Sequence, residues 1–81
     1  MIKKDRHEIE NDRERLILNM LRETSDPIGS YSIVDMFENM GISLSTATIG
    51  RILNRLDKKG FVERKSFKGR VLTEKGESAL K

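Results

Sequence analysis

The stretch LSTATIGRILNRLDKKGFVER, Leu44 to Arg64, carries the reading of the whole chain. Ser45 before Thr46 is a helix start signal, because a serine oxygen accepts from the backbone N–H groups left free there. Ile49, Ile52, Leu53 and Leu56 then recur at helical spacing and make one apolar face. Lys58-Lys59-Gly60 is a stop signal: cations suit the negative end of the helix dipole, and glycine takes the left-handed turn. The predicted helix runs from Thr46 to about Lys58. After Gly60 the period changes, and Phe61 to Ser66 reads as a strand bounded by glycine. Phe67-Lys68-Gly69 reads as a turn and Arg70-Val71-Leu72 as the returning strand. Thr73 is placed to cap a last short helix, Glu74 to Leu80.

Toward the N-terminus, Gly41-Ile42-Ser43-Leu44 is a tight link with two apolar anchors. Before it a second helix is predicted from Ser30 to Met40. Ser30 is its expected cap, Ile33, Met36, Phe37 and Met40 its buried stripe, and Gly41 its stop. Thr24-Ser25-Asp26-Pro27 separates this from a first helix, Asp12 to Glu23, since the residue before proline avoids the α region. Leu16, Ile17, Met20 and Leu21 line that first helix, Ile9 extends the stripe, and Asn11 or Asp12 is the expected cap. Residues 1–11 read as a charged arm or an extra turn of helix, and 12–81 as the domain. At 81 residues the chain holds one domain at most. The expected fold is mostly α with a small β-hairpin: a three-helix core with a helix-turn-helix, a two-stranded wing and a short C-terminal helix.

The charge is uneven along the chain. Met1 to Asp26 has six basic and seven acidic residues, net −1, and Pro27 to Leu44 has two acids, net −2. Ser45 to Lys75 has nine basic and three acidic residues, net +6, and Gly76 to Lys81 cancels, which returns the overall +3. A basic half is the electrostatic footprint of a polyanion-binding protein; a solvated basic face accounts for it equally well. The chain has no cysteine, which excludes disulfides and thiolate metal sites and fits a reducing cytoplasm. No apolar run approaches the roughly 20 residues of a membrane span, and the charged N-terminus has no apolar core of a secretory signal behind it.

Two helices joined by a tight glycine turn and followed by a basic hairpin suit a duplex, because a major groove admits one α-helix. Opposite the apolar face of the third helix lie Ala47, Gly50, Arg51, Asn54 and Lys58, at roughly 3.6 residues per turn. Small residues at 47 and 50 let the helix lie close to base edges. Arg51 and Asn54 carry the groups that read guanine and adenine, although the same residues also furnish ordinary polar faces. Ser45, Thr46 and Thr48 offer hydroxyls to phosphate or base edges at the helix N-terminus, with capping the competing role for Ser45. In the hairpin, Lys65, Lys68 and Arg70 around Gly69 suit contact with phosphates or insertion into a minor groove, with an edge strand guarded by lysine against aggregation as the competing reading. Phe67 at the tip is odd for a solvated turn and is expected to pack back on the domain rather than to wedge into DNA.

The segment Leu44-Ser45-Thr46-Ala47-Thr48-Ile49, continuing through Leu53, Leu56 and Lys59-Gly60-Phe61-Val62-Glu63-Arg64, resembles the recognition helix and first wing strand of winged helix-turn-helix regulators. Leu72-Thr73-Glu74-Lys75-Gly76 resembles their return from the wing, and Asp26-Pro27-Ile28-Gly29-Ser30 their link into the second helix. The pattern is similar to the winged-helix domains of archaeal nitrogen-regulation repressors and of some bacterial exoribonucleases, and it covers Arg15 to Leu80. The resemblance implies that Ser45, Thr46, Thr48, Arg51 and Arg55 fall where the family contacts DNA. Gly50 departs from it, since many relatives place a long polar residue there.

The expected function is sequence-specific binding of double-stranded DNA by a transcriptional regulator, with Ser45, Thr46, Thr48, Arg51, Asn54, Arg55, Lys58, Lys65, Lys68 and Arg70 as contact residues. An RNA-binding or protein-interaction accessory domain is the alternative. Four aromatic rings, with Phe37 on a buried stripe, are few for single-strand stacking. An enzyme is not expected. His7 is a lone histidine in a charged segment, Asp35 and Glu38 share a helix face as solvated acids do, and no phosphate-binding glycine loop or metal-ligand cluster occurs. No cofactor is implied. Ile9, Leu18 and Leu80 are candidates to seal a homodimer. The end at Leu80-Lys81, in or just after a helix, suggests the N-terminal part of a longer regulator with a C-terminal effector domain.

Overall fold

A computed structural model describes Ile9 and residues 11–81. The rest of the expected N-terminal arm, with His7, lies outside the described residues. Four helices and a hairpin follow in the order α1 (Asp12–Arg22), α2 (Ser30–Asn39), α3 (Thr46–Lys59), β1 (Val62–Arg64), β2 (Arg70–Leu72) and α4 (Glu74–Leu80). The fold is the expected mostly helical one with a small two-stranded sheet.

Each start has a local cause. Asn11 Oδ1 accepts from the Glu14 N–H at 2.9 Å, Ser45 Oγ from the Thr48 N–H at 3.1 Å, and Thr73 Oγ1 from the Gly76 N–H at 3.1 Å. Helix α2 differs from expectation. Its N-cap is Gly29, with no side-chain bond, and Ser30 is the first helical residue rather than the cap. The α3 stop is built as predicted. Gly60 takes φ +82°, its N–H donates to the Asp57 carbonyl, and the Phe61 N–H donates to Leu56, both at 3.0 Å. A residue with a Cβ is strained in that region, so the glycine and the two closing bonds belong together.

The core lies where α1, α2, α3 and the root of the hairpin meet. Helix α3 contributes Ile49, Ile52, Leu53 and Leu56, α2 contributes Ile33 and Phe37, and Phe61 and Val62 close it from the hairpin side. Helix α1 buries Ile17 and Leu21 as expected, and also Leu18, which is fully buried. Leu18 therefore belongs to the domain's own core and cannot seal a dimer. Ile9 and Leu80, the other two candidates for that role, are half-buried against the same core. Of the predicted α2 stripe, Met36 is half-buried and Met40 is exposed beyond the helix end.

The strands pair antiparallel in the register Val62↔Leu72, Glu63↔Val71 and Arg64↔Arg70. Two strands of three residues are too short to stand alone in water. They gain a third partner, because Ile28 bridges Arg70 on the open edge. The Ile28 N–H donates to Arg70 at 3.0 Å, and the Arg70 N–H donates to Ile28 at 2.9 Å. The link between α1 and α2 thus anchors the hairpin.

Leu53 is fully buried at the centre of α3. Leu53→Ala should cost about 2–5 kcal/mol, because it removes apolar contacts and leaves a cavity that neighbours fill only in part. Chemical denaturation followed by circular dichroism measures the loss; an unchanged midpoint would mean that this face of α3 does not face the core.

Candidate nucleic-acid interface

The outward face of α3 carries Ala47, Arg51, Asn54 and Lys58, all exposed, with Gly50 half-buried among them. Nothing lies within 4 Å of where a Cβ on Gly50 would stand. No packing contact therefore demands this glycine, and a glycine inside a helix costs about 1 kcal/mol against alanine. What it provides is a low surface between Ala47 and Arg51. At the helix start, Ser45 is exposed, Thr46 and Thr48 are half-buried, and the Ser45 hydroxyl also donates to Thr48 Oγ1 at 3.0 Å.

The ten expected contact residues divide by what their side chains touch. Arg51, Lys58 and Lys68 are exposed and take no ion-pair partner among the described residues. Arg64, which is not among those ten residues, shares that state. The continuous basic run Arg64-Lys65 was the signal for it. Lys65 Nζ lies 3.5 Å from Glu63 in an exposed pair, which water and salt readily loosen.

Arg70 is different. It is 7% exposed, and its guanidinium is spent inside the domain. Nη2 donates to Asp57 Oδ2 at 2.7 Å and to Asn54 Oδ1 at 3.2 Å, and Nε donates to Asp57 Oδ2 at 3.2 Å. The expected phosphate contact by Arg70 does not fit this placement: with both faces of its fork engaged, it ties the wing root to α3. Asn54 is correspondingly half committed. Its carbonyl oxygen faces Arg70, which leaves its amide donors, and not a donor–acceptor pair, for any ligand.

Arg55 is also tied. Its Nε donates to Glu14 Oε2 at 3.2 Å, and Lys59 Nζ donates to Glu14 Oε1 at 3.1 Å. Glu14 is fully buried in α1. The Arg55 side chain remains 48% exposed, so part of its guanidinium faces solvent beside Arg51.

The wing tip is a built turn. The Lys65 N–H donates to Gly69 at 2.8 Å, and the Lys68 N–H donates to Lys65 at 3.0 Å. Ser66 holds a left-handed φ of +52°. A Cβ on Gly69 would stand 2.3 Å from the Ile28 carbonyl, so this backbone approach requires glycine. Phe67 does not pack back on the domain, contrary to expectation: at 104% relative exposure its ring stands wholly in solvent. Tyr31 on α2 is also exposed, while Phe37 and Phe61 are buried.

Three helices, a helix-turn-helix whose second member bears this face, and a hairpin tied to its flank define a winged-helix domain. The sequence pattern of the ribonuclease R winged-helix domain matches residues 15–80, and the chain belongs to that family. Over 64 residues it is 31% identical to the global nitrogen regulator NrpRI of Methanosarcina mazei, an alignment that takes in 79% of this chain and 20% of that protein. No solved structure matches the chain. No helix among the described residues is long and apolar enough to cross a membrane.

Two consequences can be measured. Gly50→Ala should raise stability by about 0.5–1 kcal/mol, since the space is open and alanine is the better helix former. Arg70→Ala should lower it by about 1.5–3 kcal/mol, the range for hydrogen bonds to charged groups, because Asp57 and Asn54 lose their donor. Thermal melts of the two variants are expected to move in opposite directions.

Proposed function

We propose that the chain is the duplex-DNA-binding part of a transcriptional regulator, with α3 seated in the major groove and the wing lying on the phosphate backbone. The observation that carries this reading is the low, cationic face of α3. Arg51 and Lys58 stand free on either side of Asn54, and Ala47 and Gly50 keep the ground beside them clear. A major groove about 12 Å wide accepts such a face. Arg51 is the residue assigned to a bidentate guanine contact. Asn54 donates its amide to a base acceptor, and Ser45, Thr46 and Thr48 meet phosphate at the helix N-terminus. Arg64, Lys65 and Lys68 neutralise backbone charge, and Arg55 adds its solvent-facing edge.

The likeness to a global nitrogen regulator supports a regulatory role. The matched region is one-fifth of that protein, which supports reading this domain as the DNA-binding piece of a longer regulator. On this reading the domain binds and does not catalyse. A second reading, RNA binding, is favoured by the ribonuclease family to which the domain belongs and by the exposed rings of Tyr31 and Phe67.

Fluorescence anisotropy with duplex DNA, duplex RNA and single-stranded RNA at about 50 and about 200 mM salt separates the two. Tightest binding to duplex DNA, weakening at the higher salt, is the expected result; preference for either RNA would replace the first reading by the second. Arg51→Ala should cost about 1–3 kcal/mol more on a selected site than on scrambled duplex, while the fold is unchanged. Parallel losses on both DNAs would make Arg51 a phosphate contact. Lys68→Ala should weaken binding to all duplexes alike and flatten the plot of log affinity against log salt by about one unit.

A further inference from the structure

The wing carries a group that electrostatics does not explain. Phe67 is the most exposed large apolar side chain among the described residues, and it sits at the outermost point of the hairpin. It is not on a loose loop. The turn is closed by the Lys65–Gly69 and Lys68–Lys65 backbone bonds, and its base is pinned where Gly69 and Arg70 meet Ile28. Lys68 follows the ring directly and Lys65 stands two residues before it. The acid nearest in sequence, Glu63, is already paired with Lys65.

The wing root also has a fixed place relative to α3, since Arg70 binds Asn54 and Asp57. Phe67 lies three residues before Arg70 on the tip side, at most about 10 Å along an extended chain. The ring is therefore tethered close to the joint between the wing and α3 and stands fully in solvent. An apolar group with a cation on each side fits one duplex feature well: a minor groove about 6 Å wide, with a phosphate row along each wall and base edges at its floor.

We propose that Phe67 is an apolar wedge that enters the minor groove and partly unstacks a base step, while Lys65 and Lys68 hold the flanking phosphates. The inference rests on the duplex-DNA reading above and adds to it a contact that releases no counterion. Apolar side chains used this way kink a duplex, so binding bends the DNA. A protein partner at the tip would not call for cations on both sides of the ring.

The test uses the whole chain and a duplex selected by the wild-type protein. Phe67→Ala is compared with Lys68→Ala by anisotropy across salt, and with wild type on a duplex carrying 2-aminopurine at the contacted step. Because the ring touches nothing in the fold, Phe67→Ala should melt at the wild-type temperature. It should lose about tenfold in affinity with an unchanged salt slope, whereas Lys68→Ala should change the slope. The 2-aminopurine should brighten with wild type and stay dark with Phe67→Ala. Equal affinity of wild type and Phe67→Ala on duplex DNA would overturn the wedge and leave the DNA reading standing. A loss confined to single-stranded RNA would overturn it in favour of a stacking contact, and a change in sedimentation without a change in affinity would make the ring a contact between copies. No duplex binding by wild type would remove the DNA reading and the wedge together.

Discussion

Arg70 holds three parts of the domain at one point. Its backbone exchanges two hydrogen bonds with Ile28, and its guanidinium bonds Asp57 and Asn54 on α3. A hairpin of six strand residues cannot fix its own direction, because it buries too little to resist twisting away. Here the direction is set from outside. The bridge to Ile28 settles the open edge of β2, and the ion pair settles the angle between hairpin and helix. The tightness of this joint explains Gly69, where a Cβ would collide with the Ile28 backbone. The wing is consequently an extension of α3 in mechanical terms, and groups on the two elements hold fixed positions relative to one another.

A second buried charge does similar work on the other side of α3. Glu14 gives up hydration entirely, which is costly for a carboxylate unless cations and donors replace the water. Arg55 and Lys59 supply both, one to each oxygen. An apolar residue at 14 would pack in more than one way, whereas a carboxylate that must meet two cations one turn apart admits few positions of α1 along α3. Ile17, Leu18 and Leu21 bury α1 in the common core, and the Glu14 bonds to Arg55 and Lys59 tie it to α3.

How much of this is legible in sequence depends on how local its cause is. Three of the four helix starts follow from a side-chain oxygen bonding a backbone N–H three residues on, and such signals need no tertiary knowledge. The exception, Ser30, looked like a cap because serine favours that position, yet Gly29 occupies it and the hydroxyl lies one step inside. Leu18 escapes a stripe drawn on one side of α1, yet it is fully buried, because the core takes up a wider arc of this helix than that stripe. Phe67 was misassigned by the general preference of aromatic rings for burial, which a turn pinned at its base overrides. The interface fared unevenly for a single reason. The basic half was visible, but counting charge along a chain cannot tell a cation facing solvent from one facing a carboxylate 13 or 41 residues away.

That distinction changes the electrostatic argument in kind. Of the nine cations between Ser45 and Lys75, Arg55, Lys59 and Arg70 answer Glu14 and Asp57. Each of those carboxylates stands at or behind the α3 face, where an uncompensated negative charge would repel a phosphate. Left alone at an effective dielectric near 20, such a charge would oppose a phosphate 8 Å away by about 2 kcal/mol. On the proposed reading, Lys59 and Arg70 favour a polyanion without touching it, by cancelling the acids that give the domain its shape, and Arg55 does so while keeping an exposed edge. Arg51, Lys58, Arg64 and Lys68 then stand exposed on a face whose inner acids are already matched. The net charge of the segment measures neither group by itself; the pairing pattern that the fold imposes decides which cations hold the domain together and which remain to be offered outward.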